Sequence, residues 1–78
     1  MIDHPTDDEL MVRIRRGEEA AFRLLVTRWE RQVFAFLWRM TGNEDDAREL
    51  TQDVFVKVHT HAARYEARGL FKSWLFRI

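Results

Sequence analysis

The sequence has no cysteine, so neither a disulfide framework nor a thiolate metal site holds it together, and its stability has to come from apolar packing. Proline occurs once, at Pro5, and glycine three times, at Gly17, Gly42 and Gly69, in each case between apolar-periodic runs where helix C-terminal caps belong. No apolar run approaches the roughly 20 residues needed to span a bilayer, and the opening Met-Ile-Asp-His-Pro-Thr-Asp-Asp lacks the basic and then apolar pattern of a secretory signal. A soluble, cytoplasmic protein is the expectation. Net charge is also missing: 13 basic side chains face 13 acidic ones, which argues against gripping nucleic acid through a bulk positive field. What is present is apolar surface. At 46% hydrophobic and 13% aromatic, 78 residues can build one packed core but not a second domain.

The charges fall in alternating blocks. Residues 1–10 carry only acids, 11–43 set seven arginines against three glutamates, 44–53 set five acids against Arg48, and 54–78 set five bases against Glu66. Helix first turns attract acids and last turns attract bases, which accounts for part of this pattern. The spacing of apolar residues predicts an all-α fold of four helices. Thr6-x-x-Glu9 reads as a capping box, so the first helix is expected from about Asp7 to Arg16. A long second helix, Glu18 to Thr41, has an inward stripe of Phe22, Leu25, Val26, Trp29, Val33, Phe36, Leu37 and Met40. Leu24, Phe34 and Trp38 lie off that stripe and need cover, from the first or fourth helix or from a partner. Asn43 caps a third helix, Glu44 to about Ala63, with Glu44, Asp45 and Asp46 in its first turn and Ala47, Leu50, Val54 and Val58 turned inward, joined at the end by Tyr65. After a polar connection over 64–69, Phe71, Trp74, Leu75 and Ile78 form the stripe of a fourth helix beginning near Leu70. The second and third helices are expected to pack antiparallel and the fourth to close the end.

On the third helix, about 100° per residue places Glu49, Gln52, Asp53 and Val56 together, opposite the core stripe. A merely solvated face would alternate Lys and Glu. Acids and an amide around an outward valine suit docking of a basic partner helix. No catalytic constellation is present: there is no Gly-rich phosphate loop, no nucleophile with its base and no isolated carboxylate pair in an apolar setting, so neither an enzyme nor a cofactor is expected. A metal site is not expected either, because His59 and His61 point about 200° apart on a helix and His4 is far along the chain.

The segment Asp46-Ala47-Arg48-Glu49-Leu50-Thr51-Gln52-Asp53-Val54-Phe55-Val56-Lys57-Val58 resembles a segment of the extracytoplasmic-function (ECF) sigma factors, within region 2 of the sigma-70 family, usually written A-x-[DE]-L-x-Q-[DE]-x-F. Ala47, Glu49, Leu50, Gln52, Asp53 and Phe55 all match. Ala21-Phe22-x-x-Leu25, Arg39-Met40-Thr41-Gly42 and Phe71-Lys72-Ser73-Trp74-Leu75-Phe76-Arg77-Ile78 resemble further segments of the same family, in order and at the same spacing. The resemblance implies a transcription initiation module in which Glu49, Gln52, Asp53 and Val56 meet the clamp-helix coiled coil of the beta-prime subunit of RNA polymerase.

It also implies that the last part of the chain faces promoter DNA, taking a flipped base of the minus-ten element from the non-template strand and holding the strands apart. Arg64, Arg68, Lys72 and Arg77 would hold phosphates, while Tyr65 and Phe76 add aromatic surface for stacking. Phe76 is expected outward, beside Lys72. Family members are commonly held inactive by an anti-sigma protein, a further possible partner. Two departures stand out: the helix-turn-helix domain that reads the minus-thirty-five element is absent from these residues, and the final stripe is still running at Ile78. Residues 1–78 are thus expected to form one region 2 domain truncated within its last helix. A plain helical interaction module without promoter activity is the alternative.

Overall fold

The computed structural model describes residues 4–78, and helix begins where a capping side chain first allows it. Thr6 Oγ1 accepts a hydrogen bond from the Glu9 backbone N–H at 3.1 Å and opens α1, Asp7–Arg15. Among the described residues the return contact from the Glu9 carboxylate is not made, so the capping box is half formed. At the other end Gly17 donates to the Ile14 carbonyl at 2.9 Å and Glu18 to the Arg13 carbonyl at 3.1 Å, the paired bonds of a Schellman motif.

The second helix, α2, runs Glu19–Thr41 and ends at Gly42, whose φ of +67° lets its N–H reach back to the Trp38 carbonyl at 2.8 Å. Asn43 follows at once. Its side-chain oxygen takes the Asp46 N–H at 3.0 Å and opens α3, Glu44–His61. With only Gly42 and Asn43 between them, α2 and α3 fold back antiparallel. Consistent with that, Phe22 near the start of α2 lies edge-on to His59 near the end of α3, with ring centroids 4.9 Å apart. A 3-10 turn, Ala62–Arg64, prolongs α3, and α4 is a single short helix, Phe71–Leu75. Among the described residues there is no strand, and no helix is long and apolar enough to cross a membrane.

The core sits where three layers meet. Leu10, Met11 and Ile14 of α1 are buried against Ala21, Leu25, Trp29 and Val33 of α2, and against Phe55, Val58 and Ala62. Aromatic rings close the side toward α4: Phe71 lies 5.7 Å from Trp29 and 5.8 Å from Tyr65, centroid to centroid. The fourth helix therefore rests along the middle of α2 and does not close an end of the bundle.

The hairpin end has no third layer, and this corrects part of the expected stripe. No residue of α2 beyond Val33 is buried; Phe36 and Met40, expected inside, are 39% and 69% exposed. On α3, Leu50 is likewise 39% exposed, while Phe55, which the spacing had left unassigned, is 5% exposed and belongs to the core. Two helices alone cover each other along one seam, and α1, the 3-10 turn and α4 supply the remaining cover only farther from the turn. Gly69 differs too: no helix ends there, and its N–H serves a contact described below.

Candidate functional site

Glu49, Gln52, Asp53 and Val56 all lie on the surface of α3, with Val56 59% exposed. The opposite side of the helix carries Ala47 and Val58, both at 0% exposure, so the amphipathic geometry that turns those two inward turns the four outward. Among the described residues none of Glu49, Gln52 and Asp53 is engaged in an ion pair or a side-chain hydrogen bond, which leaves their polar atoms for a partner. The neighbouring acids of the first turn are occupied differently: Arg48 bridges to Glu44 at 3.1 Å and lies 3.8 Å from Asp45.

Beside this face an open groove runs between the hairpin helices, with Gln52, Thr51 and Arg48 on one wall and Arg31 and Phe34 on the other. Leu24 and Trp38 are 42% and 46% exposed, and Trp38 leans on Phe34 at 5.3 Å. Neither α1 nor α4 covers the two of them.

The 64–77 segment does not form a single face. Arg64, Tyr65, Arg68 and Arg77 line a recess of about 250 Å³ together with Glu66, Leu70 and Trp74, three residues that the sequence pattern did not select. Trp74 lies on the apolar stripe, which assigns it a packing role, yet it is only half-buried, and Leu70 is 58% exposed. Lys72 and Phe76 line a different concavity, with Phe36 and Arg39 of α2.

Two aromatic expectations need correction. Tyr65 is 6% exposed, packed at 4.9 Å against Trp74, so its ring is a wall and not a free stacking platform. Phe76 is half-buried, edge-on to Phe36 at 5.3 Å, because α4 ends at Leu75 and the chain turns Phe76 back onto α2. Arg68 is exposed but its guanidinium is held 2.6 Å from Glu66.

This segment is also held from the first turn of α1. Asp8 of α1 accepts from the Tyr65 hydroxyl with one carboxylate oxygen and from the Gly69 N–H, at 2.7 Å, with the other. Its neighbour Asp7 accepts from Trp29 Nε1 at 2.8 Å and from Arg28 at 3.0 Å. Burial above all, then the Asp8 hydrogen bond and the nearby carboxylate charges, push the Tyr65 phenol above its ordinary pKa of 10.0, so it keeps the proton it donates. Among the described residues no three His, Asp or Glu side chains gather as a metal site.

Compared with known proteins, the chain matches the sigma-70 region 2 family over residues 25–78. Its whole length aligns at 31% identity with 41% of the ECF RNA polymerase sigma-E factor of Haemophilus influenzae, and at 30% identity with 40% of the protein of that name in Escherichia coli K12. It is also 27% identical, again over its whole length, to 40% of the RNA polymerase sigma-H factor of Pseudomonas aeruginosa. The chain thus spans about two fifths of these relatives. No solved structure gives a significant match.

Proposed function

The chain belongs to the sigma-70 region 2 family, and from that premise we propose that it binds core RNA polymerase through α3 and recognises and melts the promoter minus-ten element through residues 64–77. The observation that carries the proposal is the outward, unpaired set of Glu49, Gln52 and Asp53 around the exposed Val56. On this reading the set docks on the beta-prime clamp helices. A basic coil would pair with the two carboxylates, the Gln52 amide would fix register, and Val56 would supply apolar contact at the centre.

For the DNA, the recess bounded by Tyr65, Trp74 and Leu70 offers apolar walls to one flipped base of the non-template strand, and Arg64, Arg68 and Arg77 at its rim hold the adjoining phosphates. Binding energy holds the strands apart, with no covalent step and no cofactor; this is a binding role and not an enzymatic one. Such a protein works where the chromosome is, in the cytoplasm, and an anti-sigma protein covering the Phe34 and Trp38 surface fits the same scheme. We take residues 1–78 as one unit of this kind.

The test is co-purification with core polymerase. Asp53→Arg is expected to weaken binding by about tenfold or more, the scale of a central interface charge set against its partner. Unchanged binding, with the helical signal intact, ends the docking role. A second reading has some footing in the structure: the Arg68–Glu66 pair and the buried Tyr65 leave fewer free DNA-binding groups than the sequence offered, as in an interaction module without promoter activity. That module would bind polymerase normally and leave minus-ten single strands unbound in the assembled complex.

A further inference from the structure

Residues 65–70 have little structure of their own. Between the 3-10 turn and α4, the backbone bonds are those from Tyr65 to Ala62 at 3.2 Å, from Arg68 to Glu66 at 2.9 Å and from Trp74 to Leu70 at 3.1 Å, all local. Yet this stretch forms the rim of the recess proposed to receive DNA. Something must fix its shape, and among the described residues Asp8 is the one side chain outside the segment that hydrogen-bonds to it. The two carboxylate oxygens divide the work: one takes the Tyr65 hydroxyl, the other the Gly69 N–H at 2.7 Å, so a single residue pins both ends of the arc 65–69. Gly69 has a φ of +73°, a conformation that glycine adopts readily, and the bond to Asp8 accounts for where its N–H points.

Asp8 is itself held. The adjacent Asp7 takes Trp29 Nε1 at 2.8 Å and Arg28 Nη1 at 3.0 Å, and Arg28 Nη2 also donates to the Pro5 carbonyl at 2.9 Å. The first turn of α1 is thus locked onto the middle of α2, and Asp8 reaches from that fixed point to the arc. Compensation of the helix dipole explains why acids stand at this end of α1. It does not explain why each acid spends its oxygens on partners 21 to 61 residues away.

We infer that Asp8 is a positioning residue for promoter binding: by holding Tyr65 and Gly69 it sets the shape of the 65–69 arc that presents Arg64, Arg68 and the Trp74 recess to DNA. This rests on the promoter-binding reading above. It also places a determinant of DNA binding outside residues 25–78, the stretch that matches region 2, while the arc it controls lies inside.

The sign of the effect separates positioning from simple charge. Deleting an acid near a phosphate-binding surface should tighten DNA binding, whereas loss of the arc's shape should weaken it. The experiment uses the full chain assembled with core polymerase, and as probe a fluorescent single-stranded DNA selected from a random pool for binding to the wild-type complex. Asp8→Ala is expected to weaken the probe on the order of tenfold, the scale of losing hydrogen bonds to a charged acceptor, with core binding unchanged. Tyr65→Phe should weaken it less, and adding it to Asp8→Ala should cost little more, because both remove the same contact. Amide exchange at Gly69 should quicken in Asp8→Ala while the α2 and α3 amides stay protected.

Val33→Ala serves as a control that loosens the buried core without touching the arc. If it weakens the probe as much as Asp8→Ala at a temperature where both are folded, the effect is general stability and the inference falls. Unchanged or tighter DNA binding by Asp8→Ala, with the wild type binding normally, overturns it as well. If no sequence from the pool binds the wild-type complex above the core polymerase background, the promoter reading itself fails first.

Discussion

The hairpin of α2 and α3 and the segment from Ala62 to Ile78 are held by different means. The hairpin is two long helices joined through Gly42 and Asn43, which cap the facing ends, and packed by apolar side chains at helical spacing. The later segment has one five-residue helix, too short to stand alone, and leans on a ring cluster and on two carboxylate bonds from the far end of the chain. Local periodicity builds the first, long-range side-chain contacts the second. The surface proposed to dock on a protein is built on one continuous helix, and the one proposed to take up a base takes its shape from contacts made by α1.

Substitutions can break this contrast or sharpen it. The largest effect is expected from Leu25→Ala in the hairpin: a fully buried leucine lost to alanine costs about 2–5 kcal/mol, enough to unfold much of so small a domain in thermal denaturation. Both regions should melt together, and survival of the 62–78 contacts in that variant would show the segment to be independent. Next comes Tyr65→Phe, which leaves the Asp8 oxygen short of a donor at a cost of about 1–3 kcal/mol, read as faster amide exchange confined to residues 62–78.

The same tyrosine gives a pH test. Its pKa is raised in the folded state, so its contribution is complete below the unfolded value near 10 and is lost as pH climbs toward the higher folded value. Wild type should therefore lose stability above pH ~10 more steeply than Tyr65→Phe; parallel curves would contradict the shift. Since Tyr65 is the only tyrosine, its tyrosinate absorbance reports the titration directly. A smaller cost, about 1 kcal/mol, is expected for Asn43→Ala, which removes the α3 cap and should fray the hairpin turn while sparing the Tyr65 contacts. Arg48→Ala should come last, at no more than about 0.5 kcal/mol in thermal unfolding, since its ion pairs with Glu44 and Asp45 are exposed.

The contrast also explains what could be read in advance. Thr6, Asn43, Gly17 and Gly42 mark helix ends through local chemistry, and the structure places ends beside each of them. The outward turn of Glu49, Gln52, Asp53 and Val56 follows from spacing on one helix. Leu50, Phe36 and Met40 were misplaced because periodicity gives a direction but not the distance to which a third layer extends. Nothing in Asp7-Asp8 distinguishes acids that serve a helix end from acids that reach across the fold. Tyr65 and Phe76 fit a DNA-stacking pattern by composition; only packing shows that one is a wall of the recess and the other folds back on Phe36.

The seating of Asp7 on Trp29 and Arg28 bears on how such proteins are recombined. A graft cut at residue 25, where the region 2 match starts, would carry the recess to its new host and leave behind the two acids that brace it. On the promoter-binding proposal, chimeras joined upstream of Thr6 should retain their donor's promoter preference, and those joined between α1 and α2 should do so only where the host supplies an acid in the same place.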